Sequence, residues 1–188
     1  MEVSGTSTMT KKESTMDPAL VKFRFKKLVI LLGLVVALIA LDQWTKQLVH
    51  QGFRLGESIP LIDGLLNFTY VRNTGAAFGI LATADPSFRV PFFLLMPIVA
   101  LIAIGFVFRK LPPQDVRVST ALALVVSGAV GNLIDRVVYG FVIDFVDFHW
   151  KNQVHFPAFN VADSAICIGV GLMMLDMFQN PEKHASQE

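Results

Sequence analysis

The apolar positions fall in long blocks separated by short polar stretches, with no strict alternation over most of the chain. Leu28 to Leu41 is an unbroken apolar run, and helical spacing continues it through Asp42-Gln43-Trp44-Thr45-Lys46-Gln47-Leu48-Val49. Three further blocks, 90–108, 118–138 and 159–178, are each near the roughly 20 residues that cross about 30 Å of hydrocarbon. The pattern predicts four transmembrane helices, the first over about 28–49. Pro91 suits the first turn of the second helix, whereas Pro97 inside it predicts a kink. A basic start before an apolar run also resembles a secretory signal peptide, but no small-x-small cleavage site follows here.

Between the first two blocks, Phe68-Thr69-Tyr70-Val71 and Ala76-Ala77-Phe78-Gly79-Ile80 are short β-prone runs around Asn73-Thr74-Gly75. Backbone with unpaired polar groups is excluded from hydrocarbon, so these strands are expected at the interface. The fold class expected is a mainly α membrane protein, a four-transmembrane-helix bundle with a small interfacial β cradle, periplasmic if the membrane is the bacterial inner one. Residues 139–158 read as an aromatic loop suited to the headgroup belt.

Composition sharpens this picture. Of 188 residues, 53% are hydrophobic and 16% charged, and the mean hydropathy is +0.56. Soluble domains carry about 25% charged residues. A net charge of +1 supplies no basic field for nucleic acid. The single cysteine, Cys167, excludes an internal disulfide framework and a thiolate metal cluster. It reads as a packing residue.

Charge placement gives orientation. Lys22, Arg24, Lys26 and Lys27 precede the first span, and Arg109, Lys110 and Arg117 surround the turn between the second and third. By the positive-inside rule both termini and that turn are cytoplasmic, and the other two loops face outward. Residues 1–21, rich in Ser, Thr and Lys, read as a disordered cytoplasmic tail, with Met9 and Met16 as alternative starts. Residues 22–180 read as one membrane domain, and 181–188 as a C-terminal cytoplasmic tail. No internal repeat relates the halves, which weighs against a transporter.

Acids within a membrane mark function by default, so their depth matters. At about 1.5 Å per residue, Asp42 lies roughly 21 Å outward from Leu28, and Asp135 roughly 26 Å outward from Val118. Asp163 lies roughly 6 Å inward from Phe159. Asp144 stands in the outer loop just before that last span. Four carboxylates from separate elements thus converge near the outer face. A carrier would instead hold its acids near the midplane.

Helical spacing gives each acid a companion: Asn132, Asp135 and Arg136 at i, i+3, i+4, Asn160 with Asp163, and Asp42 with Lys46. Structural readings compete for each. Asn160 and Asp163 fit a helix N-cap with an acidic third position. Asp42 with Lys46, and Asp135 with Arg136, fit ion pairs that hold the bundle. Asp147 and Asp176 read as solvated interfacial acids, and His149 and His155 as headgroup anchors, with metal ligation as the alternative.

Two close carboxylates share a proton, so one serves as base and the other as acid. Such a pair takes a proton from water attacking an amide and protonates the departing amine, without a metal or other cofactor. No Gly-x-Ser-x-Gly, His-Glu-x-x-His or phosphate-binding glycine loop competes. Spacing alone leaves both Asp144 and Asp135 open as the partner of Asp163.

Five ordered blocks carry a resemblance: Asp42-Gln43-Trp44-Thr45-Lys46; Arg72-Asn73-Thr74-Gly75-Ala76-Ala77-Phe78; Gly131-Asn132-Leu133-Ile134-Asp135-Arg136; Val142-Ile143-Asp144-Phe145; and Phe156-Pro157-Ala158-Phe159-Asn160-Val161-Ala162-Asp163-Ser164. Together, over about residues 25–180, they resemble the bacterial lipoprotein signal peptidase family, signal peptidase II. That resemblance implies a four-span inner-membrane aspartic endopeptidase with its active site near the periplasmic face. Its substrates would be prolipoprotein signal peptides, cut just before a diacylglyceryl cysteine, with membrane lipids as further partners and a single chain sufficing as a monomer.

The resemblance maps the catalytic dyad onto Asp144 and Asp163. It makes Asn73, Asn132, Asp135, Arg136 and Asn160 a supporting shell, and gives Asp42 and Lys46 a structural or supporting role. The block Val142-Ile143-Asp144-Phe145 departs mildly from the family's Val-Val-Asp-Phe. The polar N-terminal tail is longer than the family's usual short N-terminus. Aromatics and glycines of the outer loops would form a cradle and lid over the peptide.

Overall fold

The computed structural model describes residues 17–76, 80–150 and 154–181. Its elements run α1 (Pro18–Gly52), β1 (Ser58–Ile62), β2 (Leu66–Asn73), α2 (Pro86–Lys110), α3 (Val116–Tyr139), β3 (Val142–Trp150), β4 (Val154–His155) and α4 (Val161–Gln179). Three of these helices, α2, α3 and α4, are long and apolar enough to cross a membrane.

Each helix start has a local cause. Asp17 accepts a hydrogen bond from the Ala19 N–H (2.9 Å), and Pro18 opens α1 with its φ already set. Asp85 and Pro86 repeat the device at α2, where the Ser87 N–H donates to Asp85 at 2.8 Å. The helix therefore begins at Pro18 and takes in residues 18–21, expected in the tail. Residues 1–16 lie outside the described residues, as do 182–188 of the expected C-terminal tail. At its far end α3 stops at Gly140, whose φ of 79° is left-handed and whose N–H donates to the Arg136 carbonyl at 3.1 Å. That reversal turns the chain directly into β3.

Helix α3 is central and packs against α1, α2 and α4. Its buried stripe includes Ser119, Ser127, Gly128, Gly131, Asn132 and Asp135, while α2 buries only Phe93. Leu95, Val99, Ile102, Phe106, Leu32, Val36, Ile168 and Leu175 are exposed. Polar groups inside and apolar groups outside are the arrangement hydrocarbon stabilises. The chain is a multi-pass membrane protein.

Close approach at this centre requires small residues. A Cβ added at Gly131 would stand 2.6 Å from Asp42 Oδ2 and 3.3 Å from the Ala162 Cβ. Gly131→Ala is expected to destabilise the protein by about 1–3 kcal/mol, because a packed polar core cannot take the extra methyl without shifting. Denaturant unfolding in detergent would measure this, and an unchanged midpoint would contradict the packing described.

The strands form one sheet in the order β1-β2-β3-β4, and every neighbouring pair is antiparallel. β3 occupies part of the stretch expected as an aromatic loop. Its first four residues are all buried, so no alternation betrays it. Of the two expected outer strands, Phe68–Val71 lies within β2, whereas residues 77–79 of the second run lie outside the described residues. Val49, Tyr70, Ile143 and Phe145 form a buried cluster that ties β2 and β3 to the end of α1.

Candidate active site

Two backbone features bring the acids together. In the β2–β3 register Val71 stands opposite Asp144 and Asn73 opposite Val142. The diagonal neighbours Asn73 and Asp144 therefore share a face, and Asn73 Nδ2 donates to Asp144 Oδ2 at 3.0 Å. Further along, Phe159 bonds β3 on both sides: its carbonyl accepts from the Val146 N–H at 2.9 Å, and its own N–H donates to the Val146 carbonyl at 3.0 Å. The N-cap of α4, Asn160, thus stands beside β3, one residue later.

Asn160 caps α4 in a reciprocal box. Its Oδ1 accepts from the Asp163 N–H at 2.8 Å, and its own N–H donates to Asp163 Oδ2 at 3.3 Å. The same side chain, fully buried, donates through Nδ2 to Asp144 Oδ1 at 2.7 Å. The capping reading and the functional reading of Asn160 and Asp163 are therefore one structure. Asn132 completes the link, since its Nδ2 donates to Asp163 Oδ1 at 2.7 Å and its Oδ1 accepts from Asn160 Nδ2 at 3.2 Å.

Below lies a buried ionic group. Lys46 Nζ is 2.8 Å from Asp42 Oδ2 and 3.1 Å from Asp135 Oδ2, and it donates to Asn132 Oδ1 at 2.8 Å. All three charged side chains are 1% exposed or less. Burying such charges is tolerable only with pairing and hydrogen bonds for every oxygen. Asp135 Oδ2 accepts the Ile143 N–H at 3.0 Å, and Asp42 Oδ1 accepts the Ala162 N–H at 2.8 Å. Gln43 Nε2 donates to Asp135 Oδ1 at 2.8 Å and to the Gly131 carbonyl at 3.1 Å.

All four converging carboxylates thus join one hydrogen-bonded network through Lys46, Asn132 and Asn160. Asp135, however, pairs with Lys46 and not with Arg136, because adjacent helical residues point about 100° apart. Arg136 donates instead to the Gly75 carbonyl at 2.9 Å and lies over the Phe93 ring. Gln43 was missed, since it lies off the Asp42–Lys46 face and meets its partners only through tertiary packing. Two further expectations change: Asp176 is 3% exposed, 3.5 Å from Arg117, and His149 is also buried, so neither is a solvated surface group. The His155 side chain lies outside the described residues.

A cleft of about 620 Å³ opens onto this network. Asn73, Asn132, Arg136 and Asp163 form its polar wall, while Pro97, Ala129, Ile166, Cys167 and Ile168 line its apolar part. Cys167 is thus exposed on the cleft and is not a packing residue. Asp144 is 1% exposed, and burial, with the neighbouring Asp163 carboxylate second, pushes its carboxyl up to about 7. A buried, proton-retaining carboxyl beside a cleft-facing one is the arrangement general acid–base chemistry uses.

The same stretch of chain is matched in known proteins. A family model described as Signal peptidase (SPase) II matches residues 34–179. The lipoprotein signal peptidase of Geobacter sulfurreducens is 52% identical over 153 residues, covering 81% of this chain and 94% of its own. That of Syntrophotalea carbinolica is 46% identical over 155 residues, covering 82% and 94%. A bacterial membrane enzyme solved by the in meso method at 2.3 Å resolution superposes with a TM-score of 0.73 at 34% identity, covering 82% of this chain and 90% of its own. With every part of the acid network inside the matched span, the chain belongs to the signal peptidase II family.

Proposed function

We propose that Asp144 and Asp163 are the catalytic dyad of an aspartic peptidase and share one proton across an attacking water. The reaction is cleavage of signal peptides from prolipoproteins, as the family's activity requires. The observation that carries the dyad is Asn160, which hydrogen-bonds both carboxylates from one capping residue.

In the cleaving step one carboxylate takes a proton as the water oxygen adds to the scissile carbonyl carbon, and the other carboxyl gives its proton to the departing amine. The C–N bond breaks, the signal peptide leaves with a new carboxylate, and the mature chain begins with a free amino group. Asn73, Asn132 and Asn160 orient the dyad. Arg136, held by the Gly75 carbonyl, braces the turn after β2 and stands on the cleft wall to meet substrate backbone. Asp42, Lys46 and Asp135 support the scaffold beneath.

The substrate's cysteine carries diacylglycerol, and its acyl chains lie along the apolar wall of the cleft, continuous with bilayer lipid. α1 provides the fourth span, with the β sheet as a periplasmic cradle and both termini cytoplasmic in the inner membrane. Lys27 Nζ donates to Ser119 Oγ at 2.9 Å, so the basic start of α1 and the basic turn before α3 share one end of the bundle, which supports that orientation. One chain holds the whole site and acts as a monomer.

The substrate reading is tested with two purified precursors in gel-shift assays, one carrying diacylglyceryl cysteine and one unmodified. Cleavage of the lipidated precursor and little of the other is expected; equal cleavage of both would remove the lipid from the account. The dyad also predicts a pH profile. Because burial raises Asp144 to about 7, the pair keeps its shared proton below that value and loses it above. The rate should therefore fall about tenfold per pH unit on the alkaline side. A flat profile from pH 6 to 9, measured on the lipidated precursor, would contradict the shared proton.

A further inference from the structure

Each acid of the buried ionic group ends on a particular backbone amide. Asp135 Oδ2 accepts the N–H of Ile143, the residue immediately before Asp144, at 3.0 Å. Asp42 Oδ1 accepts the N–H of Ala162, immediately before Asp163, at 2.8 Å. The two acids come from different helices, and the amides they hold belong to a strand and to the first turn of another helix. One ammonium group, Lys46 Nζ, joins the two acids at 2.8 Å and 3.1 Å. A third contact runs from Lys46 to Asn132 Oδ1 at 2.8 Å, and Asn132 Nδ2 holds Asp163 Oδ1 at 2.7 Å.

We propose that Lys46 is a positioning residue that sets the separation of Asp144 and Asp163, by gripping through Asp135 and Asp42 the backbone amide just before each of them. The inference rests on the dyad reading and adds to it the device that fixes the dyad's spacing. Lys46 is 1% exposed and absent from the cleft wall, so it meets neither substrate nor water there. Its action is through the backbone.

The physical need is specific. Asp144 is carried by β3 and Asp163 by α4, and these elements are joined through residues 151–160. The Phe159 pairing with Val146 aligns the two elements along the strand. Proton sharing across one water demands a spacing held within a fraction of an ångström, and an error of about 1 Å costs about 100-fold in rate. Two carboxylates repel each other, so the spacing needs an opposing tether. Charged hydrogen bonds are shorter and stiffer than neutral ones, and both tethers use them. Gln43 joins the two acids a second time, at 3.3 Å to Asp42 Oδ2 and 2.8 Å to Asp135 Oδ1, which keeps them from rotating independently.

The test replaces the charges while keeping the acceptors. In the full-length triple variant Lys46→Met, Asp42→Asn, Asp135→Asn, each asparagine carbonyl still accepts its amide, so no buried charge is stranded, yet the central tie is gone. With a diacylglyceryl precursor as substrate, kcat should fall about 100-fold while KM stays within about twofold. A folded triple variant with unchanged kcat overturns the proposal. So does one whose KM rises while kcat holds, since that would make the group a substrate-binding element.

If the triple variant does not fold, Asp42→Asn and Asp135→Asn are compared singly, since each leaves Lys46 one carboxylate and strands no charge. Each slackens one arm of the tie, so each should lower kcat about tenfold with KM within about twofold. Unchanged kcat in both folded single variants would overturn the shared tie. Failure of the dyad itself would appear elsewhere, as retained activity in Asp144→Asn, so the two ideas fail separately.

Discussion

Asp144→Asn and Asp163→Asn are each expected to lower kcat by about 10³- to 10⁴-fold, because each removes one of the two proposed proton-transfer groups. Folding should survive. An asparagine at 163 keeps a carbonyl that accepts the Asn160 N–H, so the capping box of α4 persists. At 144 the amide keeps one acceptor for Asn73 or Asn160 and turns its NH2 toward the other donor, at a cost of about 1–3 kcal/mol that the buried core should bear. Groups that act as a unit are not additive, so the double variant should be scarcely slower than either single one. Single-turnover assays with equal amounts of folded protein check this. Full turnover by Asp144→Asn would return the partnership with Asp163 to the other candidate, Asp135.

The largest loss of stability is expected at Asp135. Asp135→Leu strips Lys46 of one of its two carboxylates and orphans the Ile143 N–H, both fully inside the protein. Lys46 keeps Asp42, so the cost comes from the buried Ile143 N–H and Gln43 Nε2 left without their acceptor, about 1–3 kcal/mol each. Asp135→Asn keeps an acceptor for the amide and should lose clearly less. Denaturant titrations of both variants in detergent decide it. Equal midpoints for wild type and Asp135→Leu would mean that the ionic group does not hold the fold together.

Much of this arrangement was legible in the order of residues alone, and the illegible parts have definite causes. Apolar runs marked the helices because an almost unbroken apolar stretch of about 20 residues has the length that crosses hydrocarbon and few other readings. The start of α1 is masked in the sequence because residues 18–27 are mixed in character, although Asp17-Pro18 is a capping signal of the kind that also opens α2. β3 gave no alternation because both of its faces are covered at Val142 to Phe145, and β1 gave none because all five residues are exposed.

At the site, the i, i+4 spacing of Asp42 and Lys46 named a pair that exists. Depth arithmetic brought four acids to one level, and the structure joins them. Partner choice was another matter. Asp135 reaches a lysine on another helix, and Gln43, off the Asp42–Lys46 row, reaches Asp135 across the α1–α3 contact, pairings that only tertiary packing determines. The dyad assignment came from family resemblance, and the capping residue that links the two acids gives it a physical basis.

The most direct measurement digests a purified diacylglyceryl prolipoprotein with the wild-type chain in water enriched in ¹⁸O and weighs both products. The account predicts a mature product beginning at the lipidated cysteine, with one ¹⁸O in the new carboxylate of the released signal peptide, and no product from Asp144→Asn or Asp163→Asn in the same time. Cleavage at another bond, or equal cleavage by either variant, would contradict it.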